Sequence, residues 1–221
     1  MIALDVLGTG EEVRLRPARL VVAGYTARDT AAVQAHIDEL AAIGVPPPAT
    51  VPAFYDLDPA LVTTDAVLPV DGASTSGEVE PVLIRTGGRY LLGVGSDHTD
   101  REREKADIAA SKAACGKPLG HRVVDLGPDP STVDWDGLLA DSSVDGWQYQ
   151  RGRVAVLRHP VDLLDRMTAA LGPVDGDLVL FCGTLPLLVG QFTYGRYWRV
   201  HLEVPGGPVL THAYETKQRS A

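Results

Sequence analysis

Asparagine is absent from the 221 residues, cysteine occurs twice, aromatic residues make up 6% and lysine is outnumbered four to one by arginine. The missing Asn, with Arg favoured over Lys and an Ala-rich background, is a matter of codon usage rather than chemistry. Two cysteines, Cys115 and Cys182, are too few and too far apart for a zinc ribbon or a disulfide framework, and each lies among small or apolar residues. They read as reduced core thiols. No window approaches eighteen apolar residues, and the first ten residues lack a basic segment followed by an apolar run, so neither a membrane span nor a signal peptide is expected. The expected location is cytoplasmic. Positive charge is also in deficit: 29 acids face 20 bases, giving a net charge of −9, which excludes sequence-independent attraction to nucleic acid or an anionic membrane as the main activity.

What remains is the composition of an ordinary globular protein, 45% hydrophobic and 22% charged, and motifs spread over the chain favour a single domain over residues 1–221. Periodicity predicts a strand over Glu12–Ala23 interrupted at Pro17, and a helix over Thr30–Ile43. Asp29 caps that helix, Gly44 stops it and Val33, Ile37 and Leu40 form its apolar stripe. The proline-rich stretch from Pro46 to Pro59, with Phe54 and Tyr55, reads as an extended loop. Strands are expected at Thr63–Val70, Val79–Thr86, Arg89–Val94, Leu178–Cys182 and Tyr197–Val204. A charged helix is expected over Thr99–Ala114, then a loop-rich middle containing Trp135 and Trp147, and a second helix at Pro160–Leu171. Strands outnumber helices without βαβ alternation, so the class is α+β, mostly β.

The segment around Gly87-Gly88 carries the most information. Two glycines can both take the positive φ of a primed turn, and the resulting hairpin pairs residues whose numbers sum to 175. Glu78 then faces Asp97, Glu80 faces Gly95, and a period of two puts Glu78, Glu80 and Asp97 on one face. Three carboxylates about 5 Å apart repel by roughly 3 kcal/mol per pair at an effective dielectric of about 20. A hard divalent cation with all-oxygen ligation, Mg²⁺, Mn²⁺ or Ca²⁺, relieves that repulsion; the alternative is an acidic solvated hairpin face with no ligand. Pro81 cannot donate to the ladder and demands an edge or a bulge. His98 alternates to the opposite face and reads as structural, and Asp100, Arg101 and Glu102 open the charged helix.

Glu78-Val-Glu80, Ser96-Asp97-His-Thr-Asp-Arg101, Lys112 and Gly183-Thr184-Leu-Pro186 resemble, in order, the motifs of the fumarylacetoacetate hydrolase superfamily. The likeness is greatest to a shorter bacterial branch, a domain family of unknown function containing the Ser-Asp-His-Thr-Asp-Arg run. It implies a mixed β-sandwich or roll with a few peripheral helices. It also implies that Glu78, Glu80 and Asp97 hold one divalent metal, Mg²⁺ or else Mn²⁺ or Ca²⁺, which chelates a 2-oxo acid or β-dicarbonyl and stabilises an enolate. Lys112 matches the family lysine beside that charge. Many members carry an Asn-Tyr-x-x-His-x-x-Glu segment; here Gly24-Tyr25 precedes His36 and Glu39 by a longer interval. His36 and Glu39, three apart on a helix, are neighbours, and the pair suits water activation. The implied substrate contacts are Tyr25, Thr184 and Arg101, whose guanidinium would fork a carboxylate. Ser96 and Thr99 depart from the family's Asn and Ser, and Leu185 interrupts its Gly-Thr-Pro. The implied activity is hydrolysis or lysis of an enolisable 2-oxo acid or β-diketone by a homodimer, with a non-catalytic small-acid binding protein as the alternative.

Overall fold

The structure is a computed structural model that describes residues 1–42 and 47–219; the side chains of residues 32, 36, 39, 40 and 42 lie outside that description. Two mixed sheets dominate. The larger is assembled from Ile2–Val6 (β1), Glu11–Leu15 (β2), Pro17–Gly24 (β3), Ala53–Leu57 (β4), Val79–Thr86 (β6), Arg89–Ser96 (β7), Arg122–Gly127 (β8) and Asp177–Phe181 (β11). Its strand order is β2-β1-β8-β7-β6-β11-β3-β4. The smaller contains Val67–Val70 (β5), Leu139–Val144 (β9), Trp147–Arg153 (β10), Tyr197–Glu203 (β12) and Val209–Gln218 (β13), in the order β10-β9-β12-β13-β5. Helices Thr30–Ala42 (α1), Arg101–Glu104 (α2), Ile108–Ala113 (α3) and Pro160–Leu171 (α4) sit around them. This is the α+β, mostly β architecture expected from the sequence. Among the described residues no helix is long and apolar enough to cross a membrane.

The core follows from the period-two alternation of the strands. Val21, Val79, Leu83 and Leu92 on one face of the large sheet meet Ala140, Val200, Leu202 and Leu210 of the small sheet, with Leu163 and Met167 of α4 closing one end. The opposite face of the large sheet buries Leu20, Val22, Val82, Ile84 and Leu91 in a second cluster. Strands β6 and β7 therefore have apolar partners on both faces, which fixes their register.

That register is the expected one. Gly87 and Gly88 take φ of +57° and +79°, and the pairs run from Thr86↔Arg89 to Val79↔Ser96. The Asp97 N–H donates to Glu78 O at 3.0 Å, one step further along the same ladder. Pro81 is accommodated without a shift. On its far side β11 pairs only as far as Val82↔Phe181, so the missing N–H falls where the neighbouring strand has ended.

Several expectations are corrected. The single charged helix over Thr99–Ala114 is two short ones. Asp100 accepts hydrogen bonds from the N–H groups of Glu102 and Arg103 to begin α2, and Asp107 accepts from Ala110 N–H to begin α3, so a second capping aspartate restarts the helix. The Pro46–Pro59 loop contains β4, paired antiparallel with β3. The loop-rich middle contains β8 and the β9–β10 hairpin, whose turn at Asp145-Gly146 takes φ of +48° and +85°. Asp29 accepts from Ala31 N–H at the start of α1, and Val33 and Ile37 are buried as the stripe requires. The stop at Gly44 lies outside the described residues. Both cysteines are free and buried.

Candidate functional site

The carboxylates meet where the β6–β7 hairpin opens into the segment from Asp97 to Lys117. Asp97 and Glu80 are buried at 0% and 2% exposure, while Glu78 keeps a partly open side chain. Helix α3 carries Lys112 back over the hairpin, and its Nζ donates to Asp97 Oδ2. Lys117, fully buried, places Nζ 3.1 Å from Asp97 Oδ1 and donates to the carbonyls of His98 and Lys112. Burial alone would raise the Asp97 carboxyl; the two ammonium groups outweigh it and hold the carboxyl below its ordinary range. Burial would likewise discharge Lys112, but Asp97 and Glu78 hold its pKa above the usual lysine value. Burial does depress Lys117, because it shares Asp97 with Lys112.

Glu80 has no cation of its own. Gly183 N–H donates to its Oε2 at 2.7 Å, yet burial and the Asp97 charge push its carboxyl well above the usual range. Glu78 faces a cation instead: Arg101 Nη2 stands 2.9 Å from its Oε2, an ion pair whose angle falls short of a hydrogen bond. Arg101 is otherwise occupied, with Nη1 donating to both Glu104 oxygens at 3.0 Å, Nε to Ser76 Oγ at 2.7 Å and Phe192 across the guanidinium at 3.9 Å. A carboxylate fork from Arg101 would require that network to open.

The remaining predicted contacts divide. Tyr25 holds φ at +56°, an uncommon conformation for a residue with a Cβ, and its phenol lies within the fields of Glu104 and Lys112. Thr184 is committed to the scaffold: its hydroxyl donates to Val79 O at 2.9 Å and accepts from Gln150 Nε2 at 2.8 Å. His36 and Glu39 lie on α1, but their side chains are outside the described residues. His98 is structural, its Nδ1 paired with Tyr214 OH and its Nε2 with Thr75 Oγ1, both at 2.9 Å.

Three residues with a part in this geometry were not singled out from the sequence. Tyr55 on β4 lies with its ring 5.4 Å from Lys112 Nζ; Gly24, diagonal to it on β3, makes room for it, since a Cβ there would stand 3.0 Å from the ring. Lys117 and Gln150 are the others. A lysine inside Cys-Gly-Lys-Pro-Leu-Gly, with no acidic neighbour to solvate it, was the available signal for Lys117. Gln150 gave none, because its role depends on a contact with residues thirty-four positions away.

Among the described residues no three His, Cys, Asp or Glu side chains stand ready to hold a metal ion, because Glu78 turns to Arg101 and Asp97 to its two lysines. The donor chemistry nevertheless fits a hard cation. All three candidates are carboxylates, the charges of Asp97 and Glu78 both act on Glu80, and the buried Glu80 lacks a counter-charge of its own.

Residues 23–214 match the family model described as "Protein of unknown function (DUF2848)". No curated protein matches the chain. Solved structures share the fold. A proposed fumarylpyruvate hydrolase from Burkholderia cenocepacia superposes with a TM-score of 0.66 at 17% identity, over 99% of this chain and 92% of that one. The 5-carboxymethyl-2-hydroxymuconate delta-isomerase of Mycobacterium smegmatis gives 0.64 at 17%, over 96% and 87%. The 2-hydroxyhepta-2,4-diene-1,7-dioate isomerase of Mycobacterium marinum gives 0.63 at 14%, over 96% and 83%. The fold is therefore one that these proteins share with a proposed fumarylacetoacetate hydrolase family protein of Yersinia pestis.

Proposed function

Since the chain belongs to the DUF2848 family and has the fold of the fumarylacetoacetate hydrolase superfamily, we propose that it is a divalent-metal-dependent hydrolase or lyase of an enolisable 2-oxo acid or β-diketone. The observation that carries this reading is the convergence of Glu78, Glu80 and Asp97 with a charged Lys112 at the mouth of one hairpin. Glu78, Glu80 and Asp97 would hold Mg²⁺, Mn²⁺ or Ca²⁺, and the bound ion would supply Lewis-acid stabilisation of negative charge on the substrate oxygens.

The chain's own residues supply the rest. Lys112, kept protonated by Asp97 and Glu78, sets a positive charge beside the developing enolate. His36 and Glu39, one turn apart on α1, would take the proton from water or substrate. Tyr25 would contact the substrate from the β3 side, and Thr184 would act through the backbone it anchors. Hydrolysis of a carbon–carbon bond is the reaction we favour; decarboxylation, hydration and isomerisation pass through the same kind of enolate. In the cell we place the protein in the cytoplasm as a homodimer acting on a small oxo acid.

The second reading, a binding protein that holds a small acid without turning it over, draws on the extent to which Arg101, Lys112 and Lys117 already neutralise the carboxylates. One experiment separates the two: turnover of acylpyruvates, oxaloacetate and 2-oxo-dienoates with and without Mg²⁺ or Mn²⁺, against Glu80→Ala and His36→Ala. Metal-dependent turnover lost in both variants supports the enzyme. Metal-dependent binding with no turnover of any member supports the binding protein.

A further inference from the structure

Gln150 is fully buried on β10 and spends its entire hydrogen-bonding capacity at one junction. Its Oε1 accepts from Val79 N–H at 2.9 Å and from Ser142 Oγ at 2.8 Å; its Nε2 donates to Thr184 Oγ1 at 2.8 Å and to Leu185 O at 2.6 Å. Two acceptor and two donor positions are all that a primary amide has. The Thr184 hydroxyl completes the junction by donating to Val79 O. The need for it lies in the sheet. Strand β11 pairs with β6 only through Val82, and Cys182 N–H still reaches Pro81 O, so Val79 has lost its neighbouring strand on that side. Gln150 and Thr184 side chains take over the N–H and C=O that a longer β11 would have paired.

Val79 is the residue between Glu78 and Glu80, and Gly183, whose N–H meets Glu80 Oε2, is the residue before Thr184. We infer that Gln150 is the positioning residue of the carboxylate site: it ties the Glu78-Val79-Glu80 segment to the Gly183-Thr184-Leu185 segment and thereby fixes the Gly183 N–H against Glu80. Gln150 touches no carboxylate itself and acts through the two backbones it bridges. Its relevance to ligand binding rests on the function proposed above; the tie itself does not.

Amide hydrogen exchange of the unliganded protein tests the tie directly. In Gln150→Met, close in size but without the amide, the Gly183 and Val79 N–H groups should exchange roughly tenfold faster or more, the factor expected when a buried hydrogen bond is lost. Amides of β12 and β13 should be unchanged. Thr184→Val provides the same reading at Gly183 if the Gln150 variant does not fold, and Ser142→Ala, which removes only the bond on the far side, should leave Gly183 at the wild-type rate. Unchanged Gly183 exchange in Gln150→Met, or in Thr184→Val where that variant stands in, overturns the inference. A second measurement adds the functional arm: Mn²⁺ binding followed by its electron paramagnetic resonance signal, well below the melting temperature. Weakening of about tenfold in Gln150→Met but not in Ser142→Ala marks positioning rather than general destabilisation, whereas equal affinity in Gln150→Met and wild type overturns it. Wild-type protein that binds no Mn²⁺ counts against the proposed function, and the exchange result then decides the tie alone.

Discussion

Lys117, like Asp97, has no water to fall back on. Its ammonium is shared among Asp97, the His98 carbonyl and the Lys112 carbonyl, at 0% exposure. Lys117→Met keeps the stem and removes the charge, leaving two buried carbonyls without a donor and Asp97 with one cation fewer. Breaking a buried ion pair from one side costs about 3–5 kcal/mol, and urea denaturation should show a loss of that order. His98, its neighbour in space, makes a complementary prediction about pH. Burial, with Lys117 and Arg101 nearby, pushes the imidazole down to about 3. An unfolded histidine titrates near 6.5, so between about 6.5 and 3 the unfolded chain binds a proton the folded one refuses. Stability from this group is complete above pH about 6.5 and falls, by at most about 1.4 kcal/mol per pH unit, as the pH drops toward 3. His98→Gln should flatten that slope in denaturation curves collected between pH 7 and 5, while lowering stability at pH 7 through the lost bonds to Tyr214 and Thr75. A slope as steep in the variant as in wild type would assign the acid sensitivity to other groups.

At the scale of the element, the division of the charged segment into α2 and α3 decides where Lys112 points. Asp107 starts α3 by accepting from Ala110 N–H, and Ser111 and Lys112 follow on its buried side. Asp107→Ala removes the cap at a cost of about 1 kcal/mol, to be seen in thermal melts. It should also loosen Lys112 against Asp97, visible as a lower lysine pKa by NMR. The same segment shows what the residues alone disclose. The Gly87-Gly88 hairpin, its register and the shared face of Glu78, Glu80 and Asp97 were legible because turn chemistry and a period of two determine them locally. Two capping aspartates in one helical run were legible in principle, but helical periodicity on either side of Asp107 concealed the restart. Strands β9 and β10 were missed because Leu-Ala-Asp-Ser-Ser-Val and Trp-Gln-Tyr-Gln-Arg-Gly-Arg are polar for strands. β9 is held by β12, far along the chain, β10 by β9 alone among the described strands, and only Asp145-Gly146 announced the turn. Arg101 and Thr184 carried the right chemistry for ligand contacts, yet their partners Ser76, Val79 and Gln150 are assembled by tertiary structure.

Across the whole molecule acids outnumber bases by nine, and one of those unmatched acids is buried at the site. Arg101, Lys112 and Lys117 face Glu78, Glu80, Asp97 and Glu104, which leaves one acid more than the bases present, and the strain of that excess falls on Glu80. A divalent cation bound there would act on the folded state alone, since the carboxylates come together only through the hairpin. At a hundred times its dissociation constant such an ion stabilises by about 2.7 kcal/mol, equivalent to roughly 5–10 °C for a chain of this length at about 2–4 °C per kcal/mol. Mg²⁺ or Mn²⁺ should therefore raise the melting temperature of wild type by several degrees. Glu80→Gln makes the opposite case from one atom: it keeps an oxygen to accept from Gly183 N–H and removes the buried charge. Without the ion its melting temperature should equal or exceed that of wild type, because the cost of burying an ionised carboxyl is gone. With the ion its shift should vanish. Calorimetry on both proteins with and without Mn²⁺ separates the cases. A full shift retained in Glu80→Gln would place the ion elsewhere, and no shift in either would mean that Lys112 and Lys117 are the site's permanent cations.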